Sequence, residues 1–360
     1  MYVITGALKN YEWGTAEGLR PWTDAAGPLA ELWFGVHPSG VSPLVETTGK
    51  EAQTGSALLD SVLTREEVPI LVKLLSAGKP LSVQVHPSAE FARRGFHYIN
   101  KESEKSSLPF ADEYEKTELL YALTDFEAFA GWRDFVQVRS IFASLSQLTG
   151  IDFFPDSADR EEAFAHIARH QPHGAEVSAI NALIPIALEK MNANNVDAPS
   201  LAAYATVVQE YPHDPGCVLT LFLDVVHLKS GQSIFVPSGV PHSYIQGTGL
   251  EVMTSSDNVL RLGLTPKPVF TELALEALDF SPSSNQEQPF AVTIIHNSLV
   301  APSGNYRLIL ALSGTTTVVL THENADSSTI LSPGQAVVVT ASEPSVTIST
   351  EGMTALVTAL

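Results

Sequence analysis

Alternation of apolar and polar positions dominates the first third of the chain. Val68-Pro69-Ile70-Leu71-Val72-Lys73-Leu74-Leu75 and Pro80-Leu81-Ser82-Val83-Gln84-Val85-His86 predict two strands joined through Ser76-Ala77-Gly78-Lys79. Turn residues at Asn10, Gly14, Gly40, Gly55 and Gly78 punctuate the rest of this β-rich stretch, up to about Arg133. From about Phe135 to Gln209 the period changes. Ala163, Phe164, Ile167 and Ala168 recur at helical spacing, as do Leu183, Ile186, Ala187 and Met191, with Pro185 inside the second set. After Asp214-Pro215-Gly216 the pattern returns to short strands. From about Gln286 to Leu360 it is rich in Val, Thr and Ser and holds no strongly helical segment.

One segment is echoed later. Leu228-Lys229-Ser230-Gly231-Gln232-Ser233-Ile234-Phe235-Val236 resembles Leu331-Ser332-Pro333-Gly334-Gln335-Ala336-Val337-Val338-Val339 at an offset of 103 residues. The offset also aligns Pro241 with Pro344, Ile245 with Ile348 and Gly249 with Gly352. A Pro/Ser-Gly turn, a strand and a second Pro-containing turn suit a duplicated β-barrel hairpin. The copies differ where chemistry would sit: His242 becomes Ser345 and Glu251 becomes Thr354. Only the first copy keeps side chains able to bind a cation, so the second reads as structural.

Length and charge narrow the field. A chain of 360 residues exceeds one simple core and predicts two or three domains. Cys217 is the only cysteine, which excludes an intrachain disulfide and a cysteine-based zinc cluster. The start has no basic-then-apolar leader pattern, and no run is long and apolar enough to span a bilayer, so a cytoplasmic protein is expected. A formal charge of −20 argues against nucleic acid and anionic membranes as partners. Any anionic substrate would need a few Lys and Arg side chains converging against that field.

Candidate chemistry lies in three segments. Strand alternation places Ser82, Gln84 and His86 on one face, an expensive set to bury without partners. Taken alone, it reads first as a half-exposed strand. Phe110-Ala111-Asp112-Glu113-Tyr114-Glu115-Lys116-Thr117-Glu118 is an acidic run of the kind that usually faces water, but Glu118 adjoins the apolar Leu119-Leu120-Tyr121-Ala122-Leu123. A carboxylate there needs a partner, and a cation is one option. Between His242, just after a Pro/Gly-rich turn, and Lys267 the chain packs Glu251, Asp257, Arg261 and Lys267 among apolar residues. Gly263 and Pro266 shape the turn that aims Lys267, and this segment is a candidate anion site. Lys73 shares a strand face with Leu71 and Leu75 and reads by itself as a snorkelling lysine.

The run His242-Ser243-Tyr244, Glu251-Val252-Met253-Thr254-Ser255-Ser256-Asp257-Asn258 and Arg261-Leu262-Gly263-Leu264-Thr265-Pro266-Lys267 resembles the long signature of the type I phosphomannose isomerases. It differs mainly at Ser243, Thr254 and Leu262, where that signature has alanine. Tyr11-Glu12-Trp13-Gly14, Glu31-Leu32-Trp33-Phe34-Gly35-Val36-His37-Pro38 and Lys79 to Pro87 are similar to the family's amino-terminal segments. One segment departs. Where the family has Tyr-x-Asp-x-Asn-His-Lys-Pro-Glu, this chain keeps Asp112, Lys116 and Glu118 but carries Tyr114, Glu115 and Thr117 in place of Asn, His and Pro.

The resemblance implies a mainly β fold with a helical insert, built on cupin (jelly-roll) barrels, one metal-binding and one degenerate. It implies a metal-binding cupin domain of residues 1–134 and 214–285, a helical insert domain of 135–213 and a C-terminal β-domain of 286–360. It further implies one zinc ion per chain, held by Gln84, His86, Glu118 and His242, and interconversion of mannose 6-phosphate and fructose 6-phosphate through an enediolate. One carboxylate and three neutral donors would leave about one net positive charge on the ion. Arg261 would be catalytic, with Lys116 as a candidate proton carrier and Asp257 orienting or relaying. Lys267, then Ser82 and Lys73, would hold the phosphate, and Glu251 the sugar hydroxyls or the metal surroundings. Tyr244 and Met253 read as wall residues. A monomer working on a small sugar phosphate is the family expectation. Two rivals remain: a sugar-responsive binding protein that keeps the barrel without turnover, favoured only by the altered Tyr114–Thr117 segment, and a cupin oxygenase. The latter usually needs a His-x-His strand where this chain has Gln84 and His86.

Overall fold

The protein was analysed as a computed structural model describing residues 1–48, 51–103, 108–152, 154–155, 159–172, 174–191, 198–281, 287–321 and 326–360. Its architecture is mainly β with a helical insertion. A ten-stranded sheet carries most strands of the first stretch and those between residues 223 and 263. The C-terminal stretch forms a four-stranded sheet and, together with Tyr2–Thr5, Pro43–Thr48 and Glu51–Leu58, a seven-stranded one. Four helices, Phe135–Thr149, Arg160–Arg169, Ala175–Met191 and Ala198–Glu210, occupy the segment where the helical period was read.

The longest strand, His242–Thr254, organises the ten-stranded sheet. Its first residues pair with Phe126–Trp132, and the register slips between Tyr244 and Gln246. Beyond the slip it runs between Ile70–Ala77 and Glu118–Ala122. Gly247 permits the corner. Its φ is +134°, and an added Cβ would lie 2.5 Å from the Phe126 ring and 2.8 Å from the Asp125 carbonyl oxygen.

Strand Val83–Val85 pairs with Leu260–Gly263, placing Gln84 opposite Arg261, and Gln84 also registers with His242. Residues directly opposite in an antiparallel pair point to the same face. Gln84, Arg261 and His242 therefore share one side, and Val83, Val85, Leu260 and Leu262 take the other, where they join one buried core with helix residues Ile141, Phe142, Phe164, Ile184 and Val207. The helical segment thus backs the strands that carry the polar face.

Several expectations change in detail. The strand expected to end at Leu75 continues as Ile70–Ala77, because Ser76 and Ala77 pair with Thr248 and Gly247. Its successor shortens to Val83–Val85. Gly55 is not a turn residue; it lies within Glu51–Leu58, where the pairing register shifts, so it marks an irregularity in a strand. Ala175–Met191 runs through Pro185 and buries Val177, Ile180, Ile184, Ala187 and Leu188, whereas Ile186 is exposed. The true stripe is displaced from the expected Leu183/Ile186 one, and burial of its apolar face holds the helix despite the lost N–H. The Met191 side chain lies outside the described residues.

The internal echo has a structural counterpart. Gly231 and Gly334 both adopt left-handed backbone, at φ 93° and 85°. In both turns a glutamine side chain accepts a backbone N–H three residues earlier: Lys229 N–H to Gln232 Oε1 at 2.7 Å, and Ser332 N–H to Gln335 Oε1 at 2.9 Å. The expected domain division stands as a proposal about folding units. Strand pairing crosses it at Tyr2–Thr5, which joins Gln335–Val339, and the 285/286 boundary falls outside the described residues.

Candidate active site and metal centre

Three ligating side chains meet behind the polar face. His86 follows Val83–Val85, Glu118 opens Glu118–Ala122, and His242 opens His242–Thr254. One ligating atom from each lies within 4.8 Å of the others. His86 Nε2 stands 3.1 Å and His242 Nε2 3.4 Å from the two Glu118 oxygens. All three residues are buried. In each ring the other nitrogen faces a backbone carbonyl: His86 Nδ1 lies 2.8 Å from Asn258 O and His242 Nδ1 3.0 Å from Val240 O. Neutral rings must then carry the proton on Nδ1 and present the Nε2 lone pair inward. Burial, reinforced by the Lys116 ammonium, pushes His86 down to about 3.

The donor set fits a divalent cation. Two imidazole nitrogens are buried without a hydrogen-bond partner, His86 Nε2 and His242 Nε2, and both face one carboxylate. Orphaned buried acceptors of this kind are costly unless something positive binds them. Burial works against the Glu118 charge, but Lys116, 2.8 Å from Oε1, leads the groups that outweigh it and hold the carboxyl well below its usual range. Tyr244 donates to Glu118 Oε2 at 3.2 Å. Gln84 pairs opposite His242 and shares its face.

In front of this cluster opens a cleft of ≈ 690 Å³. Ser82, Lys73, Gln84, Lys116, Glu118, Glu251, Asp257, Arg261 and Lys267 all line it, together with Tyr11, Trp33, Glu31 and Tyr244. Every candidate metal ligand, catalytic and substrate residue expected from the sequence is therefore at the cleft or in the adjoining cluster.

Most of the lysines in the cleft are paired with carboxylates. Lys73 is not a snorkelling lysine: it is 5% exposed, 2.8 Å from Glu251 and 3.7 Å from Glu31. Burial alone would discharge it, but the two carboxylates more than offset that and raise its pKa. Lys116 is paired with Glu118 and Lys79 with Glu210. Arg261 and Lys267 have no ion pair among the described residues. Burial lowers the pKa of both, and for Lys267 the nearby guanidinium adds to the effect. Two uncompensated cations facing a cleft in a chain of charge −20 make a local anion site. The turn between them is built tightly. Leu264 is buried with φ +56°, unusual for a branched side chain, and Asp214 Oδ2 accepts the Thr265 N–H at 3.0 Å.

The altered Tyr114–Thr117 segment is held by Asn258, whose side chain accepts the Ala111 N–H at 2.8 Å and donates to Tyr114 O at 2.7 Å. Glu115 is not among the residues lining the cleft. Sequence reading missed Asn258, Glu31 and His37 as parts of the site and gave Tyr244 only a wall role. A polar residue inside an apolar run was the available signal for Glu31 and His37. Asn258 stands in the signature segment, but its role was not legible there, because its work is done across 147 residues of chain separation. Met253, read as a wall residue, does pack with Trp33 and Leu71.

Comparison with known proteins agrees with this geometry. The family description "Phosphomannose isomerase type I, catalytic domain" matches residues 1–135. Mannose-6-phosphate isomerase of Escherichia coli K12 is 33% identical over 287 residues, spanning 74% of this chain and 72% of that protein. The human mannose-6-phosphate isomerase is 28% identical over 293 residues, spanning 74% and 67%. A crystal structure of a phosphomannose isomerase mutant from Salmonella typhimurium superposes with a TM-score of 0.79 at 25% identity, covering 100% of this chain and 99% of that one. A crystal structure of mannose 6-phosphate isomerase bound with zinc and yttrium superposes with a TM-score of 0.76 at 25% identity, with the same coverage. With its donor cluster, its cleft and more than two thirds of a relative matched at a third identity, the chain belongs to the type I phosphomannose isomerase family of enzymes.

Proposed function

We propose that the chain interconverts D-mannose 6-phosphate and D-fructose 6-phosphate with the help of one zinc ion. The observation that carries the proposal is the pair of orphaned imidazole nitrogens facing Glu118, directly behind a cleft with two uncompensated cations. Gln84, His86, Glu118 and His242 would hold the zinc, which when bound supplies a Lewis acid for negative charge developing on the sugar oxygens.

The remaining roles fall to side chains. Lys267, exposed at the rim, would take the phosphate, with Ser82 in reach and Lys73 held back by its two carboxylates. Isomerisation breaks the C2–H bond of the aldose, leaves its electron pair in an enediolate, and forms a C1–H bond. Arg261, unpaired and facing the same side as Gln84, would stabilise the enediolate oxygen. Lys116 Nζ is committed to Glu118, so Asp257 is the better placed base: its carboxylate takes the proton from C2 and returns it to C1. Lys116 then serves to hold Glu118. Glu251, tied to Lys73, would meet sugar hydroxyls.

The decisive experiment is an isomerase assay on purified protein, with metal content determined on the same sample. Conversion should vanish on chelation and return with zinc; full activity after complete removal of metal would defeat the metal role. Binding of mannose 6-phosphate without hydrogen exchange at C2 in heavy water would favour a sugar-responsive binding protein instead. No described helix is long and apolar enough to cross a membrane. A cytoplasmic monomer is part of the proposal, and sedimentation at a mass well above 38.6 kDa would refute the monomer.

A further inference from the structure

Behind the cleft wall stands an imidazole that the reaction scheme above does not use. His37 is 4% exposed and does not itself line the cleft. Its ring sits edge-on to Trp33, centroids 5.2 Å apart at 82°, which fixes the ring plane. The Ser39 backbone N–H donates to His37 Nδ1 at 3.2 Å. In the neutral ring the proton must therefore be on Nε2. That atom faces Asp257 Oδ2 at 3.8 Å, and Ser39 Oγ donates to the same oxygen at 3.2 Å. The Asp257 backbone is anchored as well, its N–H donating to Asp112 Oδ2 at 3.0 Å. Among the described residues nothing bonds Asp257 Oδ1.

We infer that His37 is a positioning residue: by accepting the Ser39 N–H it places the Ser39 hydroxyl on one Asp257 oxygen, and its own Nε2 faces that oxygen without a hydrogen bond, so the other oxygen is left directed at the substrate carbon. His37 keeps its ring proton throughout; the proton that moves does so between C2, Asp257 and C1. The inference rests on the function proposed above. Its physical basis is that a carboxylate free to rotate would offer its lone pair to the reacting carbon only part of the time, and misplacement of a reacting group by an ångström can cost about 10²-fold in rate. Burial keeps the ring neutral against the pull of Asp257 and Asp112, with Lys73 and Arg65 acting in the same sense as burial. Burial would raise the Asp257 carboxyl, but Lys116, Lys73 and the Ser39 hydroxyl hold it below its ordinary range.

Two substitutions test this. His37→Phe keeps a ring against Trp33 and removes the acceptor of the Ser39 N–H; His37→Gln removes the ring but keeps an amide oxygen able to accept it. Each is compared with wild type for kcat, KM, zinc content and the pH profile. For His37→Phe, kcat should fall about 10- to 100-fold, KM should stay within about twofold, zinc should be retained, and the acid limb should move to higher pH. His37→Gln should recover most of kcat and the original limb. The inference is overturned if His37→Phe keeps wild-type kcat and pH profile. It is equally overturned if both variants lose zinc and raise KM together, which would show a purely structural histidine. A wild type that turns over normally while these outcomes appear leaves the isomerase reading intact; a zinc-loaded wild type without turnover removes both.

Discussion

Arg261 is the clearest case of a side chain whose worth depends on what does not contact it. Its guanidinium has no carboxylate within ion-pair distance among the described residues, so the charge is available to a ligand. Arg261→Ala should fold, keep its zinc, and lose about 10²- to 10³-fold in kcat, the usual cost of deleting one donor to a developing oxyanion. Steady-state kinetics with metal analysis checks this; a rate near wild type would reassign the residue. Lys267 is exposed at the cleft, so on the proposed function Lys267→Ala should raise KM about tenfold, a loss of about 1.4 kcal/mol, with less effect on kcat. Cys217 makes an opposite point. It is fully buried, and burial, aided by Asp214, raises its thiol pKa above the ordinary range. Iodoacetamide at pH 8 should leave the native protein unlabelled by mass spectrometry and label it after unfolding, because the thiolate is the reactive form.

At the scale of elements, the site depends on one strand turning a corner. His242 and Tyr244 precede the register slip in His242–Thr254, and Glu251 and Met253 follow it. The corner lets a single strand contact Gln84 at one end and Lys73 and Glu118 at the other. Gly247→Ala puts a methyl against Phe126 and the Asp125 carbonyl while demanding a backbone that alanine rarely adopts. The expected cost is about 1–3 kcal/mol. Thermal unfolding should show it, accompanied by weaker zinc retention. Unchanged stability would mean the corner relaxes elsewhere. The strand pair Val83–Val85 and Leu260–Gly263 shows the same economy, with apolar side chains to the helices and polar ones to the cleft.

For the whole molecule, His86, Glu118 and His242 come from segments far apart in the chain, so a cation bound by them would tie the sheet together. A ligand that binds only the folded state stabilises it by about 4 kcal/mol when present at 1,000 times its Kd. Chelation should therefore lower Tm by several degrees, reversibly on adding zinc. An identical Tm with and without metal would show that the preformed cluster needs no ion. The acidic surface and the cleft work against each other in attracting an anion. Inside the cleft Glu118 is paired with Lys116 while Glu31 and Glu251 share Lys73, so the cations left for an anion are Arg261 and Lys267, which have no ion pair among the described residues.

The amino-acid order by itself determined the β–helix–β succession, the duplicated Gly231 and Gly334 turns, and most of the side chains gathered at the cleft, because alternation, turn chemistry and a long spaced motif are local in the chain. It misplaced the buried stripe of Ala175–Met191 and read Gly55 as a turn, since both depend on what packs or pairs alongside. Only tertiary structure decided that Lys73 is a buried, doubly paired cation and Arg261 an unpaired one. The same holds for the Tyr244 hydroxyl on Glu118 and for Asn258, which binds the Ala111–Tyr114 loop and His86 together. Each of these is set by distances between segments more than 100 residues apart or on facing strands. Ionic and hydrogen-bond partners follow from register and burial, and register between distant strands is fixed by the packing of the complete fold.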